Sequence, residues 1–148
     1  MGLVDRYVAY ATAFEEAYAS DDWSKIEPFF TEDAVYEFIA PAPFGGKYEG
    51  RAAVLAQFKN SVNGLDRRFD SRAVEMLEGP TEKDGTVWMR WAGIYTLAGA
   101  PACRMEGEEQ AVFAGDLIRR LTDSMTDAEA GDVGAYFAQH GAKLKPAK

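Results

Sequence analysis

Two carboxylates stand where a sequence could turn them into acid–base catalysts. Asp123 closes the segment 117–124, and Glu109 lies within 103–114; both segments read as β-strands. A carboxyl group surrounded by aromatic side chains loses hydration, its pKa rises toward neutrality, and it can exchange protons at pH 7. On this reading Asp123 is a general base and Glu109 an acid kept protonated so that it can donate to an enolate oxygen. Each has a plainer alternative. Asp123 can be a strand end in water or a cap for the following helix. Glu109 can belong to a solvated face with Glu106 and Glu108. The hairpin register decides between them: a two-residue turn at Gly115-Asp116 opposes Glu108 to Asp123, whereas a three-residue turn brings Glu109 onto Asp123's face, one pair away.

Hydroxyl groups can support the pair. Tyr10 stands one helical turn before Phe14, and Tyr36 shares the strand parity of Phe38. Other reactive types are isolated. Cys103 lies just past Pro101, with no basic neighbour at helix spacing to lower its pKa and no histidine nearby in sequence. His140 precedes Gly141 at a helix end. Gly45-Gly46 lacks the Lys-Ser/Thr that completes a phosphate loop. Asp116 is explained by turn chemistry. Glu37 falls on the strand face opposite Tyr36 and Phe38, where exposure or a salt bridge is expected. One cysteine makes no internal disulfide, one histidine builds no histidine metal site, and the glutamate run defines no ligand geometry, so no metal or cofactor is expected.

The elements that must position these residues follow from hydrophobic period. Val4, Tyr7, Val8, Ala11, Phe14, Ala17 and Tyr18 predict a helix over 4–19, and Ser20-Asp21-Asp22 stops it. A short second helix is expected over 23–30 and a strand over 34–39. The Pro- and Gly-rich stretch 40–46 reads as a loop at a mouth. A third helix runs over 51–62, with Val54, Leu55 and Phe58 on one face. The period then changes from about 3.6 to 2, giving strands near 67–78, 86–98, 103–114 and 117–124. Trp91 and Tyr95 share one face of the second of these. Thr126-x-x-Glu129 forms a capping box for a last helix ending at Gly141. The tail Lys143–Lys148 is expected to fray. Three helices and a strand, then four antiparallel strands and a helix, predict a segregated α+β fold: one strongly curved, mostly antiparallel sheet wrapped around three N-terminal helices, with a cone inside.

Composition sets the outer bounds. The 148 residues make one domain, spanning 1–148, with enough core to bury roughly 70% of the unfolded surface. At 47% hydrophobic, 13% aromatic and 27% charged, the chain is neither disordered nor a coiled coil. A net charge of −8 and a pI near 4.7 argue against nucleic acid and anionic membranes as partners. No apolar run approaches the roughly 18 residues of a membrane span, and charged residues interrupt any signal-peptide core near the start, so a cytoplasmic location is expected.

The order of elements and several local signatures resemble the nuclear transport factor 2-like (NTF2-like) fold, and within it the SnoaL-like group. The residues behind this are Asp22-Trp23 with Ile26, Phe29 and Phe30; Glu32 to Glu37; Tyr48-Glu49-Gly50 with Ala53-Val54 and Phe58; Trp91-x-x-x-Tyr95; and Phe113 to Ile118 with Asp123. The resemblance implies an aromatic-walled cavity with Tyr10, Phe14, Tyr36, Phe38, Phe58, Trp91 and Phe113 against the ligand. It also allows the family's mechanisms to be compared residue by residue. Where ketosteroid isomerases carry a tyrosine oxyanion donor and an aspartate base, this chain has Phe14 and Phe38; only the protonated acid is matched, near Glu109. The last-strand aspartate of limonene epoxide hydrolases matches Asp123, but its partners fall near Trp91 and Gly93. SnoaL-type polyketide cyclases use a cavity aspartate, a role open to Asp123. Two functions follow as expectations: a cofactor-free isomerase, cyclase, dehydratase or hydrolase with Asp123 and Glu109 as the catalytic pair, acting on a small apolar molecule, or a non-catalytic ligand-binding or homodimerising module. A homodimer through the outer sheet face is expected under both.

Overall fold

A computed structural model describes residues 2–147. The chain opens with helix α1 (Leu3–Ser20), which buries Tyr7, Tyr10 and Ala17 at helical spacing. Asp21 ends it in a left-handed conformation. The predicted second helix is two 3-10 turns, Trp23–Lys25 and Glu27–Phe29, interrupted at Ile26. Pro28 sits at the start of the second turn, where its missing N–H costs nothing. Strand β1 (Phe30–Ile39) begins four residues earlier than the hydrophobic pattern indicated. Strand β2 (Gly46–Glu49) was expected to be loop at its start; it pairs antiparallel with β1, Tyr36 opposite Tyr48, and four residues are too few to show a period.

Helix α2 (Arg51–Gly64) buries Val54, Phe58 and Val62. Residues 66–68 form a 3-10 turn where a strand start was expected, so β3 runs Ser71–Lys83. It continues past Gly79-Pro80, which had read as a connection. Gly79 takes φ 79 inside an irregular stretch of the register, and β3 lies at the sheet edge, where a proline removes no ladder hydrogen bond. The hairpin turn is Asp84-Gly85. Strands β4 (Thr86–Thr96), β5 (Cys103–Ala114) and β6 (Leu117–Ser124) follow, then helix α3 (Asp127–His140). Thr126 caps α3: its Oγ accepts from Glu129 N at 3.1 Å while Glu129 Oε1 accepts from Thr126 N at 2.8 Å. The tail is tied down rather than frayed through Lys145: its N donates to Arg68 O at 3.0 Å and its Nζ pairs with Asp70. Lys148 lies outside the described residues.

The architecture is α+β. Six strands form one curved, unclosed sheet in the order β2-β1-β6-β5-β4-β3, antiparallel except for the β1–β6 pair. One apolar cluster joins α1, α2 and the sheet around Tyr7, Phe30, Ile118 and Leu121; a second joins α3 to Tyr95, Met105 and Met125. Phe38 and Trp91 pack against both clusters. The concave face between them is not filled. It holds a cavity of about 440 Å³, within the roughly 300–1,000 Å³ of small-molecule sites.

Candidate active site

The register of the last hairpin places the carboxylates. Ala114 pairs with Leu117 and Phe113 with Ile118, as a two-residue turn requires. A bulge then leaves Arg119 unpaired, and from Val112–Arg120 onward every pair is shifted by one. Glu109 therefore faces Asp123 directly, an arrangement that neither turn length produces alone. Alternation puts Cys103, Met105, Gly107, Glu109 and Ala111 on the inner face of β5, and Glu106 and Glu108 on the other. Glu106 pairs outside with Arg104 and Arg90.

Both carboxyl groups line the cavity and hydrogen-bond to each other. Asp123 also accepts from two aromatic donors: Tyr36 OH reaches its Oδ2 at 2.9 Å and Trp91 Nε1 reaches its Oδ1 at 3.1 Å. Glu109 Oε1 accepts from Tyr7 OH. Burial raises both acids, and the neighbouring Asp123 charge pushes Glu109 further, well above the usual carboxyl value. Burial raises Asp123 too, but Glu109, Tyr36 and Trp91 all donate to its charged form and oppose that rise. Two charges buried side by side oppose one another's formation. The Asp123 charge adds to the effect of burial on Glu109, whereas the donors around Asp123 oppose the effect of burial there, so Glu109 is the member whose ionisation is held back more. Burial likewise raises Tyr7, Tyr10 and Tyr36, so all three are neutral phenols.

The aromatic residues singled out from the sequence divide by position. Tyr10, Phe14, Tyr36, Phe38, Phe58 and Trp91 line the cavity. Phe14 meets Tyr10, Trp23 and Phe58 edge to face, and Phe38 stands opposite Asp123 across the β1–β6 pair. Phe113 packs against the first core cluster and does not line the cavity. Trp91 lies over Gly107, where a Cβ would come within 2.5 Å of the indole. Cys103 is buried, and burial pushes its thiol up to about 11. His140 packs against Tyr136 at the end of α3, the rings tilted by 52°. Glu37 forms an ion pair with Arg120 at 2.5 Å. Among the described residues no three His, Cys, Asp or Glu side chains gather as metal ligands.

Sequence reasoning missed Tyr7, Asp66, Arg72 and Tyr95 as cavity residues. Tyr7 was readable: it precedes Tyr10 and Phe14 by three and seven residues, on the same helix face. Asp66 and Arg72 carried no pattern: Asp66 falls just before the strand expected over 67–78, and Arg72 is a single charged residue within it.

A curved sheet closed by helices over an aromatic cavity, with two facing carboxyl groups inside, defines a small-molecule site of the NTF2-like type. Residues 11–128 match the SnoaL-like domain family, and the chain belongs to it. Solved structures agree in fold. A Bacillus subtilis protein provisionally described as an isomerase shares 18% identity over 93% of this chain and 96% of its own, with a TM-score of 0.67. The Mycobacterium tuberculosis protein RV0760c, crystallised with estradiol-17beta-hemisuccinate, shares 15% over 84% and 96%, with a TM-score of 0.61. TerC, co-crystallised with polyporic acid, shares 14% over 85% and 95%, with a TM-score of 0.60. No curated protein matches the chain in sequence. No helix among the described residues is long and apolar enough to cross a membrane.

Proposed function

We propose that this protein is a cofactor-independent acid–base enzyme that moves a proton at a carbon next to a carbonyl in a small, largely apolar molecule. The observation that carries this reading is the facing pair of Asp123 and Glu109 in the cavity, with unequal sets of donors. A carboxylate has about four acceptor positions; Tyr36, Trp91 and Glu109 take three, leaving one for a substrate C–H. Asp123 removes that proton, the C–H electron pair forms the enolate double bond, and the carbonyl pair moves onto oxygen. As Asp123 becomes protonated it gives up the hydrogen bond from Glu109, whose single O–H turns to that oxygen as charge develops. Return of a proton to a different carbon completes an isomerisation, and attack by the enolate carbon on a second carbonyl completes a cyclisation. Apolar walls keep bulk water from quenching the enolate.

Deuterium exchange at the α-carbon of 2-tetralone in D2O, followed by proton NMR, reads the first step without requiring the natural substrate. Wild-type protein is expected to accelerate exchange, and Asp123→Asn and Glu109→Gln to slow it by at least a hundredfold with the fold retained by circular dichroism. Exchange equal in all three proteins refutes the reading. A second reading, ligand binding without chemistry, is favoured by Phe14 and Phe38, which put no polar group on two walls. Ligands bound by the relatives RV0760c and TerC support binding under both readings. We further propose a homodimer through the outer sheet face, the side of β4 that carries Trp88.

A further inference from the structure

The cavity contains a second set of polar residues that this proton transfer does not use. Asp66, at the start of the 3-10 turn after α2, is only 8% exposed. Arg72 on β3 places Nε 3.1 Å from Asp66 Oδ2, and an NH1 hydrogen bond of 2.8 Å ties it to Glu15. The Arg72 side chain is one-tenth exposed, and its Nε has no aligned hydrogen-bond partner. Tyr95 OH reaches Asp66 Oδ2 at 3.5 Å, the outer limit of a hydrogen bond. Glu15, Asp66, Arg72 and Tyr95 all line the cavity that holds Asp123 and Glu109. Burial pushes Asp66 up to about 6 even though Arg72 and Tyr95 oppose the rise.

Strand β4 spaces the two sets. Trp91 donates to Asp123 and Tyr95 donates to Asp66, and both side chains rise from the same face of that strand. Four residues separate them, about 13 Å along the backbone. Side chains on a concave face converge, so the groups they hold lie closer than that. Between them sits Gly93, and the Tyr95 ring folds over it: a Cβ there would meet the ring at 2.8 Å. The Tyr95 hydroxyl thus leans back along β4 toward Trp91, which shortens the span between the two sets.

Charge selects what the far end accepts. Two carboxylates, Glu15 and Asp66, already face one guanidinium, so a further anion is repelled. An ammonium group cannot accept from Arg72 Nε. An apolar group would leave that buried donor unpaired, at a cost. A hydroxyl donates to Asp66 and accepts from Arg72 at once. We propose that Asp66, Arg72 and Tyr95 form a hydroxyl-binding subsite, so that the ligand is a two-ended molecule with a carbonyl at the Asp123 end and an alcohol or phenol at the other. This rests on the reading of Asp123 and Glu109 as the reacting end.

Estrone and 3-deoxyestrone test it, because both present a ketone and only estrone has a hydroxyl at the opposite end of a rigid skeleton. Dissociation constants are read by quenching of Trp fluorescence in wild type, Asp66→Asn, Tyr95→Phe and Glu109→Gln. Wild type is expected to prefer estrone by about tenfold or more, the worth of a hydrogen bond to a charged group. Asp66→Asn should bring the two constants together while leaving that of 3-deoxyestrone unchanged, and Glu109→Gln should keep the preference. Tyr95→Phe, a milder change, guards against a folding defect in Asp66→Asn and should narrow the ratio in the same direction. Equal binding of the two ketones, a preference that survives Asp66→Asn, or no binding of either overturns the subsite. The readout is binding alone, so a hydroxyl preference without α-carbon exchange keeps the subsite and removes the chemistry.

Discussion

If the carboxyl pair holds a proton that the unfolded chain releases, stability must fall as pH rises, and Glu109→Gln must remove that dependence. Glu109 has an ordinary value of 4.5 and lies well above it in the folded protein, because burial and the Asp123 charge both oppose ionisation. Between those two values the folded state binds one more proton than the unfolded state, so the pH derivative of the unfolding free energy is negative. The contribution is complete below about pH 4.5 and is lost progressively up to the folded value. One proton is worth about 1.4 kcal/mol per pH unit. Each pH unit of that window therefore removes up to this amount, a sizeable share of a typical total of about 5–15 kcal/mol. In Glu109→Gln the amide still donates to Asp123 but carries no titrating proton. Asp66, raised to about 6, adds the same sign of slope between 3.8 and 6, but in both proteins, so it cancels in the difference. Urea unfolding at pH 5, 6, 7 and 8 measures it: wild type should lose stability relative to the variant as pH rises, by up to about 1.4 kcal/mol per unit until the folded value of Glu109 is reached. Parallel pH profiles would show that no proton is held by the pair, and the assignment of Glu109 as the acid would fail with it.

Gly107→Ala would set a Cβ 2.5 Å from Trp91 Cζ2 and 2.8 Å from Ser124 O, and the carbonyl cannot yield. The indole must move off Asp123, so we expect a loss of about 1–3 kcal/mol from overpacking and a slower α-carbon exchange, read by thermal melting and NMR. The proposed dimer is checked by light scattering at micromolar protein, where a mass twice the 16.3 kDa chain is expected and a mass of 16.3 kDa rejects it.

Much of the fold was legible because period speaks for elements longer than about eight residues. Helices α1, α2 and α3 and strands β4, β5 and β6 fall within a few residues of their expected bounds. Short or interrupted pieces were not legible. The 3-10 turns at 23–29 carry an apolar face like a helix, β2 is four residues long, and β3 crosses a Gly-Pro that reads as a turn. The carboxyl pair illustrates a different limit. Both residues were visible as acids on strands, and the turn residues fixed two possible registers. The bulge at Arg119 selects a third, and nothing in Ile118-Arg119-Arg120 marks a bulge beforehand. A shift of one residue exchanges the two faces of a strand, so that local irregularity decides whether Glu108 or Glu109 opposes Asp123.

The aromatic residues expected as walls also decide which acid keeps the proton. Side chains such as Tyr36 and Trp91 bury well while carrying one donor each, so they bring polarity into a cavity without a charge. Both aim that donor at Asp123, whereas Glu109 receives one from Tyr7. Each donor on a carboxylate favours its charged form, so this imbalance, together with the Asp123 charge acting on Glu109, separates the two acids. The proposed base and acid, of nearly the same chemistry, are thereby set apart with the help of three aromatic residues, two of them from β1 and β4 and one from α1. Phenylalanine at 38 fits the same logic: it stands opposite Asp123, and a further donor there would compete for the acceptor position that the proposed proton transfer needs.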